Sequence, residues 1–282
     1  MLFRYFGQQA AWERKGFRFK MPIKLLDSTL VSLTISVYDW AHYTTSKGAV
    51  KMHTLLDYDC LLPEFMNITG GKRTDNKAAF DIEIKPHSIV VADRGYCDYG
   101  LLNHWDSNNV FYVGRHKDNI RYRTIEELPL PKQHTQNVLM DESIEFGLPA
   151  AKEKFPKRLK RIAVWNDEHG FVIELLTNNF TLAASTIAKL YKARWNIEIF
   201  FHNLKQLLRI KSFIGTSRNA VEIQIWTAMI TMLLFSWLKH IARYKWALAN
   251  LAFLALAQHI YQNRPIQVAE RALYTPDRKS VV

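Results

Sequence analysis

The strongest constraint on the fold is a long amphipathic helical pattern, from Thr186 to about Leu208, that places four polar residues in one narrow sector. With Tyr191 placed at 0° and about 100° per residue, three further polar residues fall between about 300° and 340°. These are Arg194, Glu198 and Lys205. The apolar residues occupy the sector beside this stripe, which predicts a buried face. Arg194 and Glu198 alone also fit an ordinary i,i+4 surface ion pair worth about 0.2–0.5 kcal/mol.

Two other carboxylates lie in or directly after apolar segments that read as β-strands. Asp27 interrupts the β-branched stretch between Lys24 and Val37, and Asp93 follows the continuous apolar run SIVVA. A buried carboxylate without a partner costs several kcal/mol. Mg²⁺ takes hard oxygen ligands, so a metal ion held by Asp27, Asp93 and Glu198 resolves this cost.

The chain reads as an α/β protein in five parts. We expect an N-terminal remnant at 1–20, the first part of a core at 21–114 and a β-rich insertion at 115–180. Prolines break the insertion into short β-like pieces. The second part of the core follows at 181–245, and a helical tail at 246–282 ends the chain. The apolar stretch from Ile223 to Leu238 is shorter than the ~18–20 residues that span a bilayer, and predicts a buried core helix.

The balance of charge predicts a polyanionic partner. The net charge is +12 and the pI is about 9.6, which favours nucleic acid ahead of an anionic membrane surface. The run KEKFPKRLKR, at 152–161, is a candidate grip on the DNA backbone, with a solvated charged loop as the alternative. Its candidate DNA contacts are Lys157, Arg158, Lys160 and Arg161.

Several classes of protein are excluded. Cys60 and Cys97 are too few for a disulfide framework and stand in no zinc-type pair, which favours a reducing cytosol. The first twenty residues lack the apolar core of a secretory signal. Nucleophile-elbow, phosphate-loop and dinucleotide-binding motifs are absent, which excludes serine hydrolases and nucleotide-driven motors.

The spacing of the helical stripe resembles a known signature. Tyr191, Arg194, Glu198 and Lys205 fill all four positions of the YREK signature of bacterial DDE transposases of the insertion sequence 4 type. Asp27 in LLDST resembles the first catalytic aspartate of that family. Asp93 in VVADRGY resembles its second, and is followed by an aromatic residue, as expected. The resemblance covers nearly the whole chain and implies an α/β, ribonuclease-H-like mixed sheet flanked by helices, with a β-rich insertion before the last catalytic helix.

The resemblance also implies a chemistry. Members of the family cut and transfer DNA strands at transposon inverted-repeat ends by phosphoryl transfer with two metal ions. Asp27, Asp93 and Glu198 would be the catalytic residues and would hold two Mg²⁺ ions, for which Mn²⁺ can substitute. The implied partners are transposon-end DNA, target DNA and a second copy of the chain in a synaptic homodimer, in the bacterial cytoplasm at the nucleoid and away from membranes.

Four helical residues are implied to contact DNA. By resemblance, Tyr191 and Arg194 hold phosphates near the transposon end, and Lys205 does so further along the helix. Arg194 offers a planar fork for bidentate contact. Trp195 is a candidate to stack on a flipped base, with core packing as the alternative.

Relatives usually carry a separate N-terminal DNA-binding domain, whereas only 26 residues precede Asp27. We therefore expect a truncated copy or a shortened relative. A catalytically silent DNA-binding remnant of a transposase is the alternative function. A structure-directed nuclease that cuts without rejoining is the third hypothesis.

Overall fold

The structure is a computed structural model that describes residues 16–17, 19–34, 36–41, 43–44, 48–116, 120–130, 137–168, 170–208 and 213–241. The chain divides into two compact units between Phe200 and Phe201. The expected N-terminal segment 1–20 and helical tail 246–282 lie almost entirely outside the described residues. The five-part division proposed above stays a prediction.

The described part of the first unit alternates strands with short helices. Its strands are β1 (Ile23–Leu33), β2 (Gly48–Asp57), β3 (Pro63–Gly70), β4 (Ile89–Ala92), β5 (Phe111–Arg115), β6 (Tyr122–Glu127), β7 (Val138–Phe146), β8 (Leu159–Asn166) and β9 (Phe171–Thr177). The helices of the described chain are α1 (Asp75–Ala79), α2 (Tyr99–Ser107), α3 (Pro149–Lys154), α4 (Ala184–Ala193), α5 (Trp195–Leu208) and α6 (Arg218–Ile241). Two 3₁₀ turns, Asp39–Ala41 and Arg94–Tyr96, complete the described elements.

The nine strands form one mixed sheet in the order β3-β2-β1-β4-β5-β9-β8-β7-β6. Strands β1 to β3 form an antiparallel meander, and β4 and β5 continue the sheet parallel to β1. This order agrees with the ribonuclease-H-like core that the resemblance implied. The predicted β-rich insertion is confirmed, and it lengthens the core sheet because β9 pairs antiparallel with β5.

The register of the parallel strands sets three polar residues side by side. Leu26 of β1 is opposite Ala92 of β4, and Ala92 is opposite Gly114 of β5. Neighbouring strands lie about 4.8 Å apart, and residues at the same level share a face. The next residue on each strand, Asp27, Asp93 and Arg115 respectively, therefore lies at one edge on one face.

Both faces of the sheet are covered by helices, which confirms the predicted flanked sheet. Alternate residues along a strand point to opposite faces. Val90 and Ala92 pack in a core cluster with Trp105 of α2 and Phe155, which follows α3. The residue between them, Val91, is also fully buried but faces the opposite side, where α4 packs over β4 and β5.

The predicted long helix from Thr186 to Leu208 is two helices that meet at Arg194. Around this residue the backbone bonds tighten to i→i−3: Arg194 N donates to Tyr191 O (3.1 Å) and Ile197 N donates to Arg194 O (3.0 Å). The amide of Asn196 donates to the carbonyl of Ala193 at 2.7 Å, which satisfies a carbonyl freed by the break.

In the second unit, α6 is less buried than the core helix that the sequence predicted. Val221, Ile225 and Met229 are buried, so one face is packed. The opposite face carries large exposed apolar residues, namely Ile223, Trp226, Ile230, Leu234 and Leu238. The stretch Arg218–Leu238 is the one helix of the described chain that is long and apolar enough to cross a membrane. Core helices of soluble proteins meet the same criteria, so length and composition assign no membrane role.

Candidate active site

The predicted carboxylates are neighbours, and Arg194 links the helical one to the strands. Asp27 and Asp93 share the edge set by strand register, and Glu198 lies in the first turn of α5. Arg194 connects the helix to the sheet: its Nη1 lies 2.7 Å from Glu198 Oε1 and 3.5 Å from Asp27 Oδ2. The i,i+4 ion pair considered from sequence therefore exists, but it reaches a strand carboxylate as well.

Asp27 is held in an environment that disfavours its charge. Burial, together with the negative charges of Asp93 and Glu198, raises the pKa of Asp27 from 3.8 to about 7. The hydrogen bond from the Ser28 backbone N–H (2.7 Å) and the Arg194 guanidinium act in the opposite direction and do not cancel the effect. The three carboxylates therefore lie close enough to interact electrostatically.

The cationic side of the site is built around Tyr191. The Arg194 guanidinium lies over the Tyr191 ring, with Cζ 5.5 Å from the ring centroid. Arg194 Nε is buried and has no hydrogen-bond partner among the described residues. A phosphate oxygen is the acceptor that such a donor fits. Arg115 also lies near enough for its charge to lower the pKa of the Tyr191 phenol, although burial raises that pKa overall.

Sequence reasoning missed Arg115 as a member of this site. Its position at the carboxyl end of β5, one strand away from Asp93, was the available signal. From sequence, Arg115 was predicted to begin the β-rich insertion.

A second polar network, also missed from sequence, adjoins Asp27. Asp75 Oδ1 accepts a hydrogen bond from Ser28 Oγ at 2.6 Å and another from Lys51 Nζ at 3.2 Å. His53 Nδ1 lies 3.6 Å from the same oxygen. Burial lowers the pKa of His53 to about 4, so its ring is neutral near pH 7 and Lys51 is the cation that balances Asp75.

The chemistry of the three carboxylates fits a hard divalent cation, since all their donor atoms are carboxylate oxygens. In this arrangement, no three His, Cys, Asp or Glu side chains of the described ranges are grouped closely enough to hold a metal ion. Arg194 supplies the positive charge between Asp27 and Glu198. The assignment of Mg²⁺ to these ligands stays a prediction.

The other two helical candidates are placed as follows. The Trp195 side chain is 57% exposed, so core packing, the alternative interpretation of this indole, is wrong. Stacking on a base stays a prediction. Lys205 lies on the part of α5 that belongs to the second unit, and partial burial lowers the pKa of its amine.

For two residues of the basic run, the predicted contact with DNA is wrong. Lys160 and Arg161 lie in β8 and are 4% and 5% exposed. Lys160 Nζ pairs with Asp141 Oδ2 at 3.1 Å, and Arg161 Nη1 pairs with Glu142 Oε2 at 3.0 Å. Buried cations with carboxylate partners have no surface to offer a phosphate, so these two residues stabilise the sheet and do not grip DNA.

Lys157 and Arg158 precede β8 and have exposed side chains. Lys157 pairs with Asp106 of α2, and Arg158 Nε lies 3.5 Å from Glu145 Oε1. Surface pairs of this kind are weak and exchange readily for other partners. DNA contact by these two residues stays a prediction.

Comparison with known proteins gives consistent similarities. The family model described as the transposase DDE domain matches residues 18–234. A protein described as the probable transposase of insertion sequence element IS5377, from Geobacillus stearothermophilus, is 28% identical over 251 residues, which cover 89% of this chain and 65% of that protein. The transposase-like protein y4zB of Sinorhizobium fredii is 30% identical over 251 residues, covering 88% of this chain and 69% of that protein. The chain thus spans about two thirds of the length of the curated relatives it matches.

Among solved structures, a piggyBac transposase synaptic complex with hairpin DNA aligns with 91% of this chain and 58% of that chain. The TM-score is 0.47 and the sequence identity is 10%.

Proposed function

Because this chain belongs to the family of transposase DDE domains, we propose that it is a DNA transposase of the insertion sequence 4 type. In this proposal it cuts DNA at the inverted-repeat ends of its element and joins the freed ends to target DNA. Its substrates are transposon-end and target DNA, and two copies act together on paired ends.

One observation carries the proposal. Two aspartates at the same level of adjacent parallel strands lie near one helical glutamate, and Arg194 lies between Asp27 and Glu198. The charges of Asp93 and Glu198 are close enough to raise the pKa of Asp27. Burying carboxylates together is unfavourable unless a cation compensates them. A carboxyl whose pKa is shifted as strongly as that of Asp27 is typical of a functional site.

The chain's own residues divide the work between metal binding and phosphate binding. Asp27, Asp93 and Glu198 are the ligands of two Mg²⁺ ions, which Mn²⁺ can replace. When bound, such a pair activates a water or 3′-hydroxyl and neutralises charge on the reacting phosphate. Arg194 and Tyr191 bind the phosphate beside the ligands, and the unpartnered Nε of Arg194 makes this contact favourable.

The proposal predicts a large effect of one isosteric substitution. Glu198→Gln keeps the shape of the side chain and removes its charge, so we expect Mg²⁺-dependent cleavage to fall about 100-fold or more, beyond the loss typical of an outer-shell change. The substrate is a supercoiled plasmid that carries the reading frame with its native genomic flanks. Cleavage and joining are scored on gels in Mg²⁺ and in Mn²⁺. Glu168→Gln is the matched control, because Glu168 is exposed and pairs with Lys192 at the surface.

The outcomes separate the three hypotheses. Cutting and joining by the wild type, lost in Glu198→Gln and kept in Glu168→Gln, supports the transposase. Equal activity of wild type and Glu198→Gln contradicts the assigned site. Binding of end DNA in a mobility shift without cleavage in either metal identifies a silent remnant. Cutting without joined products identifies a nuclease.

A further inference from the structure

Asp75, the first residue of α1, lies beside both segments that carry the predicted aspartate ligands. Its Oδ1 accepts the hydroxyl of Ser28, the residue directly after Asp27. Its Oδ2 approaches the turn directly after Asp93, where a Cβ added to Gly95 would lie 3.5 Å from that oxygen. One carboxylate is therefore bonded to the residue after Asp27 and lies beside the turn after Asp93.

The contact with Ser28 continues to the carboxylate of Asp27. While Ser28 Oγ donates to Asp75 at 2.6 Å, the backbone N–H of Ser28 donates to Asp27 Oδ1 at 2.7 Å. A residue whose side chain and backbone N–H are both bonded has little freedom to rotate. The direction in which Asp27 presents its second oxygen is fixed by this chain of two hydrogen bonds.

Asp75 is in turn held by β2. Lys51 Nζ donates to it at 3.2 Å, and the Lys51 side chain is 12% exposed. His53, on the same strand and the same face, is anchored by a 3.0 Å hydrogen bond between its Nε2 and Thr69 Oγ1 of β3. The position of Asp75 beside the site is therefore set by side chains of the β1–β3 meander.

We propose that Asp75 is a positioning residue that orients Asp27 through Ser28 and sets the affinity of the site for its metal ions. This inference rests on the proposed function. Groups that orient metal ligands typically change metal affinity or activity 10- to 100-fold when they are removed.

The test uses the full chain with Ser28→Ala, which removes the link and leaves the Lys51–Asp75 pair intact. We expect Mn²⁺ affinity, measured by electron paramagnetic resonance, to fall about tenfold, and the Mg²⁺ concentration for half-maximal cleavage to rise by a similar factor. The apparent affinity for end DNA without metal and the thermal midpoint stay at wild-type values. Ser28→Thr keeps the hydroxyl and restores metal affinity.

A double variant tests whether Asp75 acts through Ser28. Asp75→Ala leaves Lys51 without its carboxylate, alone or combined with Ser28→Ala, so Mn²⁺ affinity and the thermal midpoint are measured for both single variants and for the double variant. If Asp75 acts through Ser28, the double variant binds Mn²⁺ no more weakly than the weaker single variant. Asp81→Asn is the matched control, because Asp81 pairs with Arg73 at the surface, and it keeps wild-type Mn²⁺ affinity.

Wild-type Mn²⁺ affinity in Ser28→Ala overturns the inference. So does a loss in DNA affinity or thermal midpoint that accounts for the whole change. Because Mn²⁺ binding is read without cleavage, a wild type that binds Mn²⁺ but does not cut DNA contradicts the proposed function and leaves the positioning role measurable. A wild type that does neither contradicts both.

Discussion

Charged side chains are buried in two regions of the sheet: around Asp27 on β1, beside the carboxyl end of β4, and on the added strands β6 to β9. Burial has opposite outcomes for the charged form in the two regions. Burial alone would lower the pKa of Arg161 in β8, but the carboxylates of Glu174 and Glu142 raise it above its ordinary value. At the sheet edge, burial and two neighbouring carboxylates raise the pKa of Asp27 to about 7, although Arg194 lies 3.5 Å away.

The difference separates charged residues that stabilise the fold from charged residues that would be stabilised by a bound cation. Around Arg161, the charged form is favoured because all three guanidinium nitrogens donate to Glu142 or Glu174, and Cζ lies 4.8 Å from the centroid of the Tyr122 ring. At Asp27 the charged form is disfavoured, so the fold gains nothing from keeping a carboxylate there. Residues that cost stability are typical of functional sites.

The largest expected effect on stability comes from removing Arg161 from its cluster with Glu142 and Glu174. Arg161→Ala leaves Glu142, which is 4% exposed, as a buried carboxylate without its cation. Removing one partner of a buried pair costs about 3–5 kcal/mol. We expect that loss in the free energy of unfolding, measured by urea denaturation at pH 7.

Arg123→Ala is the control for this cluster, because the Arg123 side chain is 73% exposed and meets Glu145 at 3.7 Å. Its free energy of unfolding changes by less than about 0.5 kcal/mol. An Arg161→Ala protein within 1 kcal/mol of the wild type, on the order of a routine surface change, contradicts the structural role assigned to this cluster.

Neutralising the carboxylate of Asp27 is expected to increase the free energy of unfolding, whereas Arg161→Ala decreases it. The folded-state pKa of Asp27 is about 7, above the ordinary value of 3.8. The contribution of this carboxyl to stability is fully present below pH 3.8 and is lost progressively as pH rises from there through about 7. At pH 8 without divalent metal, we expect Asp27→Asn to raise the free energy of unfolding by about 1–3 kcal/mol.

The same urea measurement at pH 4.5 sharpens the result. The gain from Asp27→Asn shrinks there, because protonation of wild-type Asp27 in the folded state removes most of the cost. A destabilised Asp27→Asn protein at pH 8 means that Arg194 and Ser28 compensate the charge fully, and the contrast between the two regions is then wrong.

The strands that carry the site were predictable from sequence because each has a local signature. The apolar run before Asp93 and the β-branched stretch around Asp27 became β4 and β1. Strand β3 was missed, since Pro63, Glu64 and Asn67 interrupt its apolar pattern and its pairing with β2 decides its conformation. The helix break at Arg194 has no glycine or proline to announce it.

The site was predictable where it follows helical spacing and missed where it depends on register. The spacing of Glu198 and Arg194 placed them on one face without knowledge of the sheet. Asp75 and Arg115 join the site only because β1, β2, β4 and β5 pair as they do. No local pattern contains that information.

The basic run was misjudged for the same reason. Arg161 looks like a surface cation until β7 is placed beside β8, where Glu142 lies directly opposite it. The acidic residues of DESIE, at 141–145, were the signal that a partner strand of opposite charge was present.

The smallest expected effect tests what is left of that run. Lys157 and Arg158 have side chains that are 59% and 56% exposed, so replacing either by Ala changes the free energy of unfolding by less than about 0.5 kcal/mol. If each contacts one phosphate, the slope of log affinity against log salt for end DNA becomes shallower by about 1 per substitution. Fluorescence anisotropy between about 50 and 200 mM salt measures that slope.

Lys85→Ala is the control, because Lys85 is exposed and precedes β4 at the end of the strand opposite Asp93. An unchanged slope in both variants means that this segment, like Lys160 and Arg161, serves the fold alone, and that the positive charge that meets DNA lies elsewhere on the chain.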